Sequence, residues 1–187
     1  MIKPTQITNF RRTRGELELF WIFCICVAGK NSDYAARAIS RLMKDDHSRP
    51  FEAIAEWVED NTLHNALVAA RVGQYARISR ALTESLGLDL FTCTLEDLMA
   101  IHGVGPKTAR FFLLHTRKDC DYAVLDVHIL RYLKTECGFS ECPTVTPHNR
   151  KQYERWEKCF IAVVRNTFGG LPLAQVDLLI WKMMSGR

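Results

Sequence analysis

The chain has 187 residues and a mass of 21.5 kDa, which suits one domain or two small lobes. Hydrophobic residues make up 48% and charged residues 25% of it, an ordinary globular composition that excludes disordered and fibrous proteins. The net charge of +4 comes entirely from four bases that precede the first acid, Glu16, and a second acid-free basic stretch spans residues 101–118. These patches favour docking to a polyanion, although charge by itself is explained more simply by a solvated surface.

Helical periodicity dominates the first half of the chain. We predict a largely buried helix over residues 16–28, a second helix capped by Ser32 or Asp33, a short helix from Pro50 to Trp57, and a long helix over residues 62–86 that bends at Gly73. The longest apolar run has ten residues, against the ~20 that a membrane helix needs. We therefore expect a soluble intracellular protein with no membrane partner.

The second half continues as helices joined by short links. Thr94 followed by Asp97 resembles a capping box, Pro106 occupies a first helical position, and Asp126 can cap the next helix. Further helices are predicted over residues 149–166 and 173–184, which gives nine or ten helices and an all-α protein.

The seven cysteines show no paired framework, and without a secretion signal we expect reduced thiols, with Cys24 and Cys26 in the core. Cys137, Cys142 and Cys159 are separated by four and sixteen residues, which fits neither a zinc site nor a four-cysteine cluster. We therefore predict no metal cluster.

The turn Gly103-Val104-Gly105 between two predicted helices is the most informative segment. Its glycines let backbone amides approach a ligand closely, and the helix that begins at Pro106 directs its free N–H groups the same way. This arrangement suits one DNA phosphate, contacted by Gly103, Val104, Gly105 and Thr108, with Lys118 available to the neighbouring DNA backbone. Taken alone the turn is weak support, since most such turns merely join helices.

Asp126 follows Lys107 by nineteen residues and comes directly after a hydrophobic tetrad, residues 122–125. Amide donors at a helix N-terminus keep such a carboxylate ionised. An amine and a nearby carboxylate are what cleavage of an N-glycosidic bond needs. The carboxylate stabilises positive charge on the sugar, and the amine attacks C1′ and holds the sugar as a Schiff base. We assign Lys107 and Asp126 as the catalytic residues.

Taken together, residues 98–133 resemble the helix-hairpin-helix DNA glycosylase superfamily. The resemblance implies a two-lobed helical fold with a central cleft. Members with a lysine at the position of Lys107 are bifunctional glycosylase/AP lyases. The resemblance therefore implies an enzyme that flips a damaged base out of double-stranded DNA, excises it and cuts the strand in base excision repair.

Residues 23–28, 124–131 and 176–187 resemble the small archaeal-type 8-oxoguanine glycosylase/lyases. In that family the chain end reaches the base pocket, so the resemblance implies a pocket formed by Asp177, Trp181 and Arg187, although this chain ends about three residues short of the pattern. Lys30 and Asn31 occupy the loop where relatives place the side chain that fills the gap left by the flipped base.

For the lobes, we expect one at about 30–133, including the hairpin 98–116, and the other formed by about 1–29 plus 134–187. The chemistry requires no cofactor and no iron–sulfur cluster, although a monovalent cation fits among the hairpin carbonyls 101–105. We expect a monomer, in the cytoplasm or nucleoid, or in the nucleus of a eukaryotic host.

Three alternatives stay open at this point. A glycosylase for oxidised pyrimidines or mismatches would differ in its lesion preference. A non-catalytic helical DNA-binding module would cut no lesion substrate. A helical protein–protein adaptor would show no salt-dependent affinity for DNA.

Overall fold

The computed structural model describes residues 2–44 and 48–186, which form helices and loops with no strand. Within these ranges a short 3-10 helix, Pro4–Gln6, precedes ten α helices. In chain order the helices are α1 Arg14–Val27, α2 Ser32–Met43, α3 Pro50–Glu59, α4 Leu63–Ala69, α5 Tyr75–Ser85, α6 Leu95–Ala100, α7 Pro106–Thr116, α8 Val127–Thr135, α9 Arg150–Phe168 and α10 Leu173–Ser185. The predicted all-α class is confirmed.

The helices group into two compact units. Unit 1 comprises Met1–Ile7 and Arg11–Val104, and unit 2 comprises Thr8–Phe10 and Gly105–Arg187. These units differ from the lobes expected from the sequence. α1 packs against α2, α3 and α5 and so belongs to unit 1, whereas α7 and α8 both contact α10 and so belong to unit 2.

Unit 1 is built around α1, whose residues from Leu17 to Cys26 are all buried. A helix that is apolar on every side must be surrounded by other helices, and α2, α3 and α5 pack against it. The one acid in this buried run, Glu18, accepts the backbone N–H of Phe51 at 3.0 Å. Phe51 lies in the first turn of α3, where a carboxylate complements the positive end of the helix dipole.

The single bent helix predicted over residues 62–86 is wrong, because the structure has two helices, α4 and α5, with a loop between them. Three residues of that loop have left-handed φ angles that no right-handed helix contains: Arg71 at 57°, Gly73 at 72° and Gln74 at 52°. The guanidinium of Arg41 on α2 donates to the carbonyl of Ala70, which has lost its helical partner.

The core of unit 2 is built on α9, whose buried residues lie along one face of the helix. They are Tyr153, Trp156, Glu157, Phe160 and Val164. α10 packs against both α9 and α8, and the segment 122–125 passes through this core between α7 and α8. Within the described residues no single helix is long and apolar enough to cross a membrane, and α9 and α10 reach that length and composition only as a pair bent by 93°.

The capping box at the start of α1 gives a prediction about stability. The Thr13 hydroxyl oxygen accepts the N–H of Glu16, and the Glu16 carboxylate accepts the N–H of Thr13 at 2.8 Å. Thr13→Ala should lower the free energy of unfolding by about 1 kcal/mol in urea denaturation. Thr62→Ala is the control, since the Thr62 side chain makes no cap hydrogen bond to α4. An equal loss in both variants would contradict the role of the cap.

Candidate functional site

Lys107 lies in the first turn of α7, which begins at Pro106 as predicted. No side chain caps this helix, so its first amides point from the positive end of the dipole without a side-chain partner. Lys107 is partly buried, and within the described part of the chain no hydrogen bond or ion pair engages its ammonium group. The amine is therefore available for reaction.

Asp126 is the N-cap of α8, as predicted. Its Oδ1 accepts the backbone N–H of His128 at 2.8 Å and that of Ile129 at 2.9 Å. Both bonds end on Oδ1, so they fix the orientation of the carboxylate. Neither of these two N–H groups occupies Oδ2. Lys107 and Asp126 both belong to unit 2.

Two side chains of α5 bind the backbone of His102 and Gly103, where the glycine turn begins within unit 1. Glu84 accepts the N–H of His102 at 2.6 Å, and this hydrogen bond lowers the pKa of the Glu84 carboxyl. Arg77 donates to the carbonyl of Gly103 at 3.2 Å and to the carbonyl of Ile25 at 2.9 Å. Gly103 has a φ of 73°, in the left-handed region that favours glycine. The turn is therefore fixed at two peptide groups, the one that joins Ile101 to His102 and the one that joins Gly103 to Val104.

The predicted phosphate contacts differ in exposure. Gly103 is exposed and Gly105 partly exposed, whereas Val104 and Thr108 each have 7% of their surface exposed. The side chains of the last two therefore belong to the core, and the N–H of Val104 donates to the carbonyl of Ile101 at 3.1 Å. Lys118 is exposed just after the end of α7.

Lys30 is engaged within unit 1. Its ammonium donates to the carbonyl of Val72 at 2.7 Å and to that of Gly73 at 3.3 Å, which ties it to the α4–α5 loop. Burial lowers the pKa of this amine. These two hydrogen bonds within unit 1 explain the position of the Lys30 side chain. Contact between Lys30 and DNA stays a prediction.

Asn31 is the N-cap of α2, in place of the predicted Ser32 or Asp33. Its Oδ1 accepts the N–H groups of Asp33 and Tyr34 at 3.0 and 3.2 Å. Asparagine is among the best N-cap residues, and with Asn31 as the cap the helix begins at Ser32. The side chain is exposed, and its contact with DNA also stays a prediction.

Asp177 and Trp181 lie one turn apart on α10, the helix that packs against α8. Asp177 is 5% exposed, its Oδ2 lies 3.6 Å from Nε2 of His115, and its Oδ1 has no hydrogen-bond partner among the described residues. Burial raises the pKa of Asp177, and His115 opposes that shift. The Trp181 ring contacts the ring of His128 edge-on at 6.1 Å. Arg187, the third residue of the predicted pocket, lies outside the described residues.

Comparison with known proteins identifies the family. The family model Ogg-HhH, described as 8-oxoguanine DNA glycosylase, matches residues 4–168. The chain belongs to this family. A search of curated proteins gave no significant match. Among solved structures, the crystal structure of Methanocaldococcus jannaschii 8-oxoguanine glycosylase/lyase in complex with 15mer DNA containing 8-oxoguanine is similar in fold, with a TM-score of 0.68 and 20% identity over 95% of this chain and 84% of that chain.

The family match confirms the predicted enzyme class, a DNA glycosylase with the helix-hairpin-helix fold.

Cys24 and Cys26 of the glycosylase are buried in α1, as predicted, and burial raises the pKa of the Cys26 thiol to about 12. Among the described residues no group of three or more His, Cys, Asp or Glu side chains could hold a metal ion.

The sequence does not predict a buried polar network that the glycosylase carries in unit 2. The side chains of Arg110 and Glu157, 3% and 8% exposed, form an ion pair at 2.8 Å. A usable signal exists, because Glu157 interrupts the apolar stripe of α9 between Tyr153 and Phe160. A charge at a core position needs a partner, but the sequence does not say which one.

The glycine turn gives a second prediction. An alanine methyl at Gly103 would lie 2.7 Å from Cγ of Arg77 and would need a left-handed backbone. Gly103→Ala should therefore cost about 1–2 kcal/mol of unfolding free energy and weaken binding of duplex DNA. Gly87→Ala is the matched control, since Gly87 lies outside the turn, has no left-handed φ and has nothing within 4 Å of an added Cβ. Urea denaturation and fluorescence anisotropy with labelled duplex measure both effects, and equal losses in the two variants would refute the assignment.

Proposed function

We propose that this glycosylase is a bifunctional DNA glycosylase/AP lyase that excises 8-oxoguanine from double-stranded DNA and then cuts the strand. The observation that carries the proposal is the presence, in one compact unit, of an unengaged lysine in the first turn of α7 and a fixed aspartate capping α8. The family match supports the lesion. The Methanocaldococcus jannaschii protein, named as a glycosylase/lyase, supports the lyase step.

Asp126 supplies the electrostatic part of the mechanism. As the bond between C1′ and the base lengthens, positive charge develops on the sugar. A carboxylate already oriented by two backbone N–H groups stabilises that charge without having to reorganise. Its Oδ2, which neither of these N–H groups occupies, is the atom that faces the sugar.

Lys107 supplies the nucleophile. Its neutral amine forms a bond to C1′ as the base leaves with the bonding electrons. The proton released from nitrogen passes to the departing base. Opening of the sugar ring gives the Schiff base. Loss of a proton from C2′ then expels the 3′ phosphate, which is the β-elimination that cuts the strand.

The turn Gly103–Gly105 and the uncapped start of α7 provide the grip on DNA. Free amides at the positive end of a helix bind a phosphate oxygen, and Lys118 adds charge beside the next phosphate. Glu84 and Arg77 hold the turn before DNA arrives, so binding requires little ordering of this segment.

α10 supplies the base pocket. Trp181 is partly buried and presents a ring on which a flipped purine can stack, and Asp177 has a buried oxygen with no hydrogen-bond partner among the described residues. Buried polar atoms of native proteins normally have a partner, and an N–H group of the lesion base would provide one. The resemblance also implies Arg187 for this pocket, a residue outside the described ranges.

A borohydride trapping experiment tests the function and Lys107 together. Wild-type protein is incubated with duplexes that contain 8-oxoguanine, an oxidised pyrimidine, a mismatch or no lesion, and the Schiff base is reduced. We expect a covalent protein–DNA adduct with the 8-oxoguanine duplex above all, and none with Lys107→Gln. A preference for the pyrimidine lesion or mismatch would change the substrate, and an adduct of normal yield with Lys107→Gln would move the nucleophile.

Asp126→Asn tests the carboxylate. The amide oxygen can still accept the N–H groups of His128 and Ile129, so the cap and the melting temperature should be kept. The single-turnover rate of base excision should fall roughly 10²-fold because one preorganised charge is lost. Asp97→Asn, which changes an exposed carboxylate in the cap of α6, is the control. Near-normal excision by Asp126→Asn would exclude the assignment.

A further inference from the structure

Residues 122–125 connect α7 to α8 without forming a helix or a strand, and both Ala123 and Leu125 are completely buried. Backbone groups in such a segment need hydrogen-bond partners, and residues 2–44 and 48–186 contain no strand that could provide them. The hydroxyl of Tyr153 serves two of them, since it donates to the carbonyl of Ala123 at 2.9 Å and accepts the N–H of Leu125 at 3.0 Å. Thr146 donates to the carbonyl of Leu125 at 2.7 Å.

This segment determines where Asp126 lies. The N–H of Asp126 donates back to the carbonyl of Val124 at 2.8 Å, and its side chain caps α8. The peptide that joins Leu125 to Asp126 is therefore hydrogen-bonded through both its carbonyl and its N–H. The carboxylate cannot shift unless the segment shifts with it.

Glu157 connects the same segment to α7. Its Oε1 accepts the N–H of Ala123 and the Nε of Arg110, each at 2.8 Å. Arg110 lies three residues after Lys107, on the same side of α7 and one turn along. One carboxylate oxygen thus holds the helix that carries Lys107 and the chain that leads to Asp126.

Stability alone does not explain this arrangement. Taking two charges out of water is costly, and well-packed hydrophobic residues often serve a protein as well as a buried ion pair does. What the shared oxygen provides is a single geometry, reinforced by the Arg110 guanidinium, which lies over the Tyr153 ring at 4.6 Å. Burial raises the pKa of Tyr153, so its hydroxyl keeps the proton that it donates to Ala123.

We propose that Tyr153 and Glu157 are positioning residues for base excision. They fix the position of Asp126 relative to Lys107. Neither residue touches DNA, because Tyr153 is 0% and Glu157 6% exposed. The proposal rests on the proposed role of Asp126. A displaced carboxylate stabilises the developing sugar charge less well but does not alter phosphate contacts, so rate is lost and affinity is kept.

Tyr153→Phe tests the proposal, because it removes the hydroxyl and keeps the ring. We expect the single-turnover rate of 8-oxoguanine excision to fall about tenfold or more. The Kd for lesion duplex and the rate of incision at a pre-formed abasic site, which needs Lys107 but no base departure, should change by less than about twofold. A merely structural role would lower both reactions by the same factor. Tyr132→Phe, at another buried tyrosine of unit 2, is the matched control and should leave the ratio of the two rates unchanged.

Glu157 offers a rescue by a conservative variant. Glu157→Gln keeps an oxygen that can accept the N–H of Ala123 and should retain most of the excision rate. Glu157→Leu has a similar volume and no acceptor, so it should reproduce the selective loss of Tyr153→Phe. Should Glu157→Leu fail to fold, the rate ratio of Tyr153→Phe decides by itself.

The outcomes separate this proposal from the proposed function. Excision by the wild type, with a wild-type rate ratio in Tyr153→Phe, would overturn the positioning role and leave the function intact. A wild type that incises no lesion or abasic substrate would overturn the function and the positioning role with it.

Discussion

The peptide groups of residues 122–125 lie inside an apolar core and need hydrogen-bond partners there, and the described part of the chain has no strand to pair with them. Much of the arrangement of unit 2 follows from that requirement. Tyr153 and Glu157 on α9, together with Thr146, provide these partners. A carboxylate in the core needs a cation, and Arg110 of α7 provides one. The buried pair of Arg110 and Glu157 is thus a consequence of routing irregular backbone through the interior of this unit, and the same backbone ends at Asp126.

Unit 1 meets a similar requirement where its helices break. The turn after α6 has its His102 amide bound by Glu84 and its Gly103 carbonyl bound by Arg77. The α4–α5 loop has its carbonyls bound by Arg41 and by Lys30. In each place long charged side chains fix backbone that would otherwise lack partners; Glu84, Arg77 and Arg41 lie on helices, and Lys30 lies in the loop between α1 and α2. Backbone fixed in this way is suited to recognise a phosphate, because it loses little freedom on binding.

The two proposed catalytic groups differ in a way that matches their tasks. The Asp126 carboxylate acts by its charge, so it benefits from being fixed, and two amides orient it. Lys107 must form a bond to carbon, so it benefits from an amine that no ion pair engages. Among the described residues, none forms an ion pair with it. Asp177 is buried near His115, and one of its oxygens has no hydrogen-bond partner among the described residues.

Local interactions are what the sequence by itself determined. The cap at Asp126, the capping box at Thr94, the helix start at Pro106 and the glycine turn each involve residues within four positions of one another, so composition and spacing are sufficient to predict them. The same elements sufficed for the resemblance to DNA glycosylases. Only the tertiary structure decided the membership of α1 and α7 in their units, the engagement of Lys30 by the α4–α5 loop, and the pairing of Arg110 with Glu157. These contacts join residues tens of positions apart. The packing of the helices decides which of the many similar charged side chains meet, and no local pattern encodes that packing.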